Sequence, residues 1–308
     1  MAYLPHIPNT FSIQLFDDIS LEELSAFIDW SPFFLSWEMR GKYPAIFDDP
    51  HYGTEAKKLF EDAQEVLNTI IKSKSLHAKA VCKIFPVNSI NDDDVVIFAD
   101  DSRNEIIETL CFLRQQNQKA SNQPHLCLAD FIAPVESGIP DYLGAFVVTS
   151  GIGTEELCKH YEEKHDDYSS ILVKAIADRL AEAAAEWLHA KVRKEIWGYA
   201  SSEALTNNEL IEESYQGIRP APGYPACPDH TEKDKLFFLL NATESIGVTL
   251  TESYAMMPAA SVAGWYFAHP SAKYFTIGKI NRDQLTSYAR RKNMSVEEVE
   301  RWLAPNLL

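Results

Sequence analysis

The amino-acid sequence predicts a mixed fold in which helices and strands are interleaved along one chain. Two long segments, 53–71 and 168–197, repeat apolar residues at helical spacing, and between and after them lie short runs rich in Val, Ile, Phe and Tyr bounded by turn-forming residues. With 308 residues, 46% of them hydrophobic, there is ample material for a buried core.

Taken in order, residues 21–29 read as a short helix, with Ser20 as N-cap and Glu23 three positions on completing a capping box. The aromatic run Trp30, Phe33, Phe34 and Trp37 follows and must find a buried place. In the helix over 53–71, Ala56, Leu59, Phe60, Ala63, Val66, Leu67 and Ile70 form the apolar face, and "AKAVCKIFPV" and "DDDVVIFAD" then read as strands. Two further runs, "CLADFIAP" and "YLGAFVVTSGI", are also strand-like. The helix over 168–197 carries the stripe Leu172, Ile176, Leu180, Ala183 and Trp187. Beyond a proline-rich stretch, "VTLTESYAM" and "KYFTIGKI" read as strands with "ASVAGWYFAHP" between them, and 283–292 and 296–303 have the lengths of a helix–turn–helix, with Ser295 and Glu298 as another capping box.

Composition excludes several classes of function. Twenty-eight basic against 45 acidic residues give a formal charge of −17, which opposes general attraction to nucleic acid or anionic lipid and favours a cationic ligand. The second helix of the C-terminal pair carries Glu297, Glu298 and Glu300 beside one Arg301, a poor surface for phosphates. The opening MAYLPHIPNTFSI lacks a basic start followed by an apolar run, and no stretch approaches ~18 apolar residues, so no signal peptide or membrane span is expected and a cytoplasmic location is. Five cysteines without a C-x-x-C pair read as buried thiols, and Cys227 with His230 lacks the further ligands a zinc site needs, so no metal is expected. Gly151 and Gly153 open a dinucleotide-like fingerprint that fails at Glu156, where its third glycine belongs. His160 and His165 fit neither a helix face nor a zinc signature.

Two features point to a ligand. "RPAPGYPACPDH", residues 219–230, is a stiff non-helical ribbon in which Ala221, Gly223 and Tyr224 keep backbone donors that a small molecule can use; a rigid surface connector is the alternative. On the long helix, Asp178 and Glu182 stand at i and i+4 roughly opposite the apolar stripe, among Ile171, Ala175, Ala181 and Ala185 rather than Lys and Arg. Such carboxylates are either partly buried or part of an ordinary alanine-rich solvated face.

With these segments in view, the chain resembles the C-terminal activation domain of cobalamin-dependent methionine synthase. The resemblance runs through "FIDWSPFFLSWEMRGKYP", "HDDYSSILVKAIADRLAEAAAEWLH", "ELIEESYQGIRPAPGYPACPDHTEK", "LTESYAMMPAASVAGWYFAHPSAKYF" and "RDQLTSYARRKNMSVEEVERWLAPNL", with R-x-x-x-G-Y as its central motif. Residues 1–25 match poorly, so 26–308 are assigned to the domain, and the family's homocysteine, folate and cobalamin modules are absent from this sequence. The resemblance implies a single C-shaped α+β domain with a twisted antiparallel sheet flanked by helices. It also implies a methyltransferase accessory role: binding S-adenosylmethionine and supporting reductive methylation of cob(II)alamin, held by a partner domain or subunit, with an electron from flavodoxin or a flavoprotein. The domain alone would not make methionine. A non-catalytic S-adenosylmethionine-sensing module is the alternative.

Position by position, the resemblance assigns the ligand's carboxylate to Arg219, and backbone contacts to Ala221, Gly223 and Tyr224. It further assigns ligand contact to Asp29 in "IDW" and to the aromatic pair Tyr274 and Phe275, the latter through ring or backbone only. Glu182 and Glu213 match acids near the sulfonium, and Asp178 matches an acid that receives the cobalt's displaced histidine ligand on the partner. It assigns no residue a catalytic role.

Overall fold

The computed structural model describes residues 3–120 and 122–308. Its frame is a six-stranded antiparallel sheet built around a 14-residue strand. The strands are β1 (Gln14–Ile19), β2 (His77–Ile90), β3 (Asp94–Phe98), β4 (Ile106–Cys111), β5 (Asp141–Ile152) and β8 (Ser261–Tyr266); β6 (Thr249–Leu250) and β7 (Met256–Met257) form a separate two-stranded ladder. The order is β4-β3-β2-β5-β8, and β1 also pairs with β2. Because β5 takes one edge of β2 from Lys79 to Val87, β1 and β3 share the other, β1 against Ala78–Cys82 and β3 against Val87–Ile90.

Alternation along the central strands sorts two cores, one on each face. Ala80, Cys82 and Ile84 of β2 and Phe146 and Val148 of β5 join the helices α3 (Gly53–Ser73) and α5 (Asp167–Lys191) on one face. Val81, Phe85 and Val87, with Ala145 and Val147, meet α7 (Glu232–Leu240) and α8 (Ala242–Ile246) on the other. The antiparallel sheet is therefore covered by helices on both sides, in line with the expectation of an α+β sheet flanked by helices.

The long helices follow their predicted periodicity. Ala56, Leu59, Ala63, Leu67 and Ile70 of α3 are buried, and the aromatic run closes over this helix: Trp30, Phe33 and Phe34 are buried, with Trp30 edge-on to Phe60 at 5.0 Å. In α5 the whole predicted stripe is buried, and the helix continues through a π-turn over Val192–Ile196. Ser20 caps α1 (Leu21–Ser25) by accepting from the Glu23 N–H at 3.3 Å, but the Glu23 carboxylate accepts from Trp187 Nε1 at 2.6 Å instead of closing the box, which ties α1 to α5. The segment before residue 26 is part of the fold: it supplies β1, and Trp197 Nε1 donates to the His6 carbonyl.

Several strand readings shrink to short or irregular pieces. "CLADFIAP" forms a 3-10 turn over Leu128–Phe131, closed by the Asp130 carboxylate on the Cys127 N–H at 2.8 Å. "KYFTIGKI" is irregular, its Ile277 N–H bonding the Pro225 carbonyl instead of a ladder, and "VTLTESYAM" contributes only the short β6 and β7. β1 and β4 are additional strands that the sequence reading did not identify. At the C-terminus α9 (Arg282–Lys292) and α10 (Val296–Leu303) form the expected pair and bury Leu285, Tyr288, Val299 and Leu303 against Cys111, Leu113, Ile277 and Ile280. Its role in this fold is packing.

Candidate functional site

The ribbon lies along β8. Ile218 and Phe267 exchange two backbone hydrogen bonds of 3.0 Å, and the Pro220 carbonyl accepts from the Trp265 N–H at 2.9 Å. Gly264 makes this approach possible, since a Cβ there would stand 2.7 Å from the Pro220 oxygen. Beyond Pro220 the chain turns on itself: Tyr224 N–H donates to the Ala221 carbonyl at 3.2 Å, Gly223 N–H to that of Cys227 at 2.7 Å, and Cys227 N–H to that of Tyr224 at 2.9 Å. The expectation of spare backbone donors is thus corrected for Gly223 and Tyr224, whose N–H groups stabilise the turn; Ala221 N–H has no partner among the described residues. Gly223 itself sits at φ +95°, with His230 Cε1 only 2.3 Å from where a Cβ would be.

One side of this turn forms a wall of a cavity of about 420 Å³. Seven predicted ligand residues line it: Glu182, Glu213, Arg219, Ala221, Tyr224, Tyr274 and Phe275, together with the apolar Phe146, Val262 and Ala226. The structure does not bring Asp29 and Gly223 into that lining. Asp29 Oδ1 accepts from the Ser31 N–H at 2.9 Å, at the start of α2 (Ser31–Ser36), and Gly223 shapes the turn behind the wall. Asp178 is also outside, exposed on α5 and paired with Arg179 at 2.5 Å.

α5 carries acids into the molecule at four-residue steps. Asp178 is exposed, Glu182 half-buried and Glu186 buried, because successive i+4 positions follow the helix from its rim into the packed centre. Burial raises the Glu182 carboxyl above the usual carboxylate range, against the lowering pull of Arg179 and Arg219, and it raises Glu213 as well. A cation entering the cavity relieves that cost.

Glu186 went unnoticed in the sequence, although its i+4 spacing from Glu182 continues the acidic line. It anchors a guanidinium that lines the cavity: Arg219 Nη1 lies 2.7 Å from Glu186 Oε2, donates to Tyr215 Oη at 2.6 Å and sits 3.4 Å from His189 Nδ1. The Arg219 N–H also donates to Tyr274 Oη at 3.0 Å. Behind them the fully buried Arg193 holds Glu203 at 2.7–3.1 Å and faces Glu186 Oε1 at 3.6 Å, so charges alternate Glu203, Arg193, Glu186, Arg219 towards the cavity. His189, stacked on Tyr266 at 4.9 Å, is pushed well below the ordinary histidine range by burial and by the two arginines, and remains neutral.

A roomier surface hollow of about 1020 Å³ lies where β5 meets α4 (Thr154–Glu162) and holds none of these residues. Gly151 and Gly153 line it beside Glu155 and Glu156, a pairing that disfavours phosphate. Cys227 is buried, and His230 Nδ1 sits 2.7 Å from Lys233 Nζ. All five cysteines are free and buried, and among the described residues no helix is long and apolar enough to cross a membrane.

The family model for the vitamin B12 dependent methionine synthase activation domain matches residues 20–293. The chain is also similar to a solved structure, the crystal structure of the MetH reactivation domain bound to AdoHcy, at 51% identity and a TM-score of 0.95, over 99% of this chain and 93% of that one.

Proposed function

The chain belongs to the family of vitamin B12-dependent methionine synthase activation domains, and from that premise we propose that it binds S-adenosylmethionine in the 420 Å³ cavity and donates its methyl group to a partner's cobalamin. The observation that carries the reading is the joining, around one cavity, of a fixed guanidinium, two carboxyls raised by burial and an aromatic wall. Those groups match, one for one, a ligand with a carboxylate, a sulfonium and a nucleoside. The similar structure, described as bound to AdoHcy, supports the same ligand class.

In this proposal Arg219 holds the ligand's carboxylate, Ala221 offers its free N–H, and Tyr224, Tyr274 and Phe275 supply aromatic surface. Glu182 and Glu213 face the sulfonium. Gly223 acts by shaping the turn behind the cavity wall, and Asp29, which holds the start of α2, is outside the lining. One electron from flavodoxin or a flavoprotein reduces cob(II)alamin on the partner domain or subunit, and methyl transfer from the sulfonium then yields methylcobalamin and S-adenosylhomocysteine. The positive charge leaves sulfur in that step, so the carboxylates serve affinity more than rate. Asp178, exposed and outside the cavity, meets the partner's displaced histidine on the surface beside its Arg179 partner. A cytoplasmic setting completes the proposal.

Titration calorimetry with S-adenosylmethionine and no added metal tests the binding step, with one site expected. Absence of heat and of any thermal shift at millimolar ligand, with folded protein, refutes it. Methyl transfer to cob(II)alamin on a partner under reducing conditions separates the donor role from mere sensing: transfer supports the former, and binding without transfer the latter.

A further inference from the structure

We infer that Glu186, with Tyr215, is a positioning residue for ligand recognition: it holds Arg219 by one nitrogen, leaving the guanidinium's other edge as a fixed fork for a carboxylate. This rests on the proposed ligand and names what sets its orientation. The polar side-chain contacts of Arg219 run through Nη1, to Glu186 Oε2, Tyr215 Oη and His189 Nδ1, while its guanidinium carbon lies 6.0 Å from the centre of the Tyr215 ring. Nη2 and Nε, the edge that matches a carboxylate bidentately, have no protein partner among the described residues, and the side chain lines the cavity.

The backbone is held too. Arg219 N–H is fixed by Tyr274, and the residues on either side of Arg219, Ile218 and Pro220, are hydrogen-bonded to Phe267 and Trp265. A four-torsion side chain clamped at both ends loses little freedom on binding, which is how preorganisation raises affinity without any new contact. Glu186 is itself held in place, 9% exposed and facing Arg193, which Glu203 grips through both carboxylate oxygens. The anchor's own charge tempers the pull of Arg219, so geometry rather than bare attraction selects the ligand. The class selected is an α-amino acid end group, and a ligand lacking its carboxylate gains nothing from the anchor.

The test compares S-adenosylmethionine with its decarboxylated analogue on Glu186→Ala, Glu186→Gln and Tyr215→Phe, by calorimetry on the full chain with melting curves alongside. Glu186→Ala frees the guanidinium and is expected to weaken S-adenosylmethionine about ten-fold. Tyr215→Phe, which keeps the ring and removes one Nη1 contact, is expected to weaken it roughly three-fold. Gln at 186 retains an acceptor for Nη1 and so restores affinity to within about three-fold of the wild type, whereas the decarboxylated analogue is indifferent to all three changes. Equal losses for both ligands, or no loss in Tyr215→Phe and Glu186→Ala, overturn the positioning role while leaving the cavity's ligand intact. A wild type that binds neither compound sinks the proposed function and this inference with it. Should Glu186→Ala fail to fold, Tyr215→Phe decides alone.

Discussion

Replacing Arg219 probes stability and recognition together, and the structure separates the two. Removal to alanine deletes the fork that faces the cavity; at about 1.5–3 kcal/mol for hydrogen bonds to a charged group, S-adenosylmethionine affinity should fall roughly ten- to a hundred-fold. It also leaves Glu186 Oε2 and Tyr215 Oη without their 2.7 and 2.6 Å partner in a buried setting. Breaking a buried pair costs about 3–5 kcal/mol, and because Arg193 still faces Glu186 at 3.6 Å the lower end applies, about 3 kcal/mol. At roughly 2 °C of melting temperature per kcal/mol for a chain of this size, Arg219→Ala should melt about 6 °C lower. Arg219→Lys divides the effects: an ammonium can stay on Glu186 and preserve most of the stability, but it offers no second edge to a carboxylate. It should therefore keep its melting temperature within about 2 °C and still lose affinity. Calorimetry and melting curves on both variants measure the pair of outcomes. Wild-type affinity in Arg219→Lys, or an unchanged melting temperature in Arg219→Ala, would refute the reasoning.

Four further outcomes are expected. Asp178→Asn should leave S-adenosylmethionine affinity unchanged, since Asp178 is outside the cavity, yet slow reactivation of a cobalamin partner; a matching loss of affinity in calorimetry contradicts this. Gly223→Ala forces a Cβ against His230 at a left-handed backbone position and should cost about 1–3 kcal/mol in denaturant unfolding, with wild-type stability counting against the turn geometry. Lys233 is brought down to about 8 by burial, so its ε-carbon should titrate near that pH in NMR of labelled protein; because the folded value lies below the unfolded one, its contribution to stability rises as pH climbs from about 8 towards the ordinary lysine range. Protonating Glu182 and Glu213, whose carboxyls burial raises, removes the negative potential that faces a sulfonium, so S-adenosylmethionine affinity should fall as pH drops through their range while S-adenosylhomocysteine, a neutral thioether, holds its affinity better; parallel pH profiles for the two compounds contradict that assignment.

Periodicity made the long helices legible because their burial is one-sided or nearly continuous, and the stripes of α3 and α5 are visible in the residues themselves. The same criterion overreached at residues 127–134 and 273–280. Both runs are apolar, but β2 already has β1, β3 and β5 along its edges; 127–134 reaches only the end of β2, in a single bridge between Pro134 and Ser89, and 273–280 joins no strand of the sheet. β4 was missed although four of its six residues are apolar: Glu108 and Thr109 interrupt the run, and its burial rises towards one end instead of alternating. At the site, the motif resemblance located the acids and the arginine, whereas Glu186, Tyr215 and His189 carry no local signal of depth. A carboxylate on a helix looks alike in sequence whether it meets solvent, as Asp178 does, or a buried arginine, as Glu186 does.

The ribbon's stiffness serves a different end from the one its composition suggests. Pro220, Pro222, Pro225 and Pro228 remove four donors that would otherwise need partners in a half-buried loop, and the N–H groups of Gly223, Tyr224 and Cys227 close its turns. Apart from the Ala221 N–H, main-chain donors spent on the ribbon's own geometry are not available to a ligand, so most recognition falls to side chains whose positions the ribbon and α5 fix between them. Arg219 enters from the ribbon and Glu186 from the helix, and their contact at 2.7 Å joins the two walls of the cavity. Recognition and folding thereby share one interaction. A change that loosens α5 against β8 reaches the ligand's carboxylate through Glu186 even when it touches no lining residue, and the deep alanines of that helix, Ala181, Ala184 and Ala185, are where such changes would act.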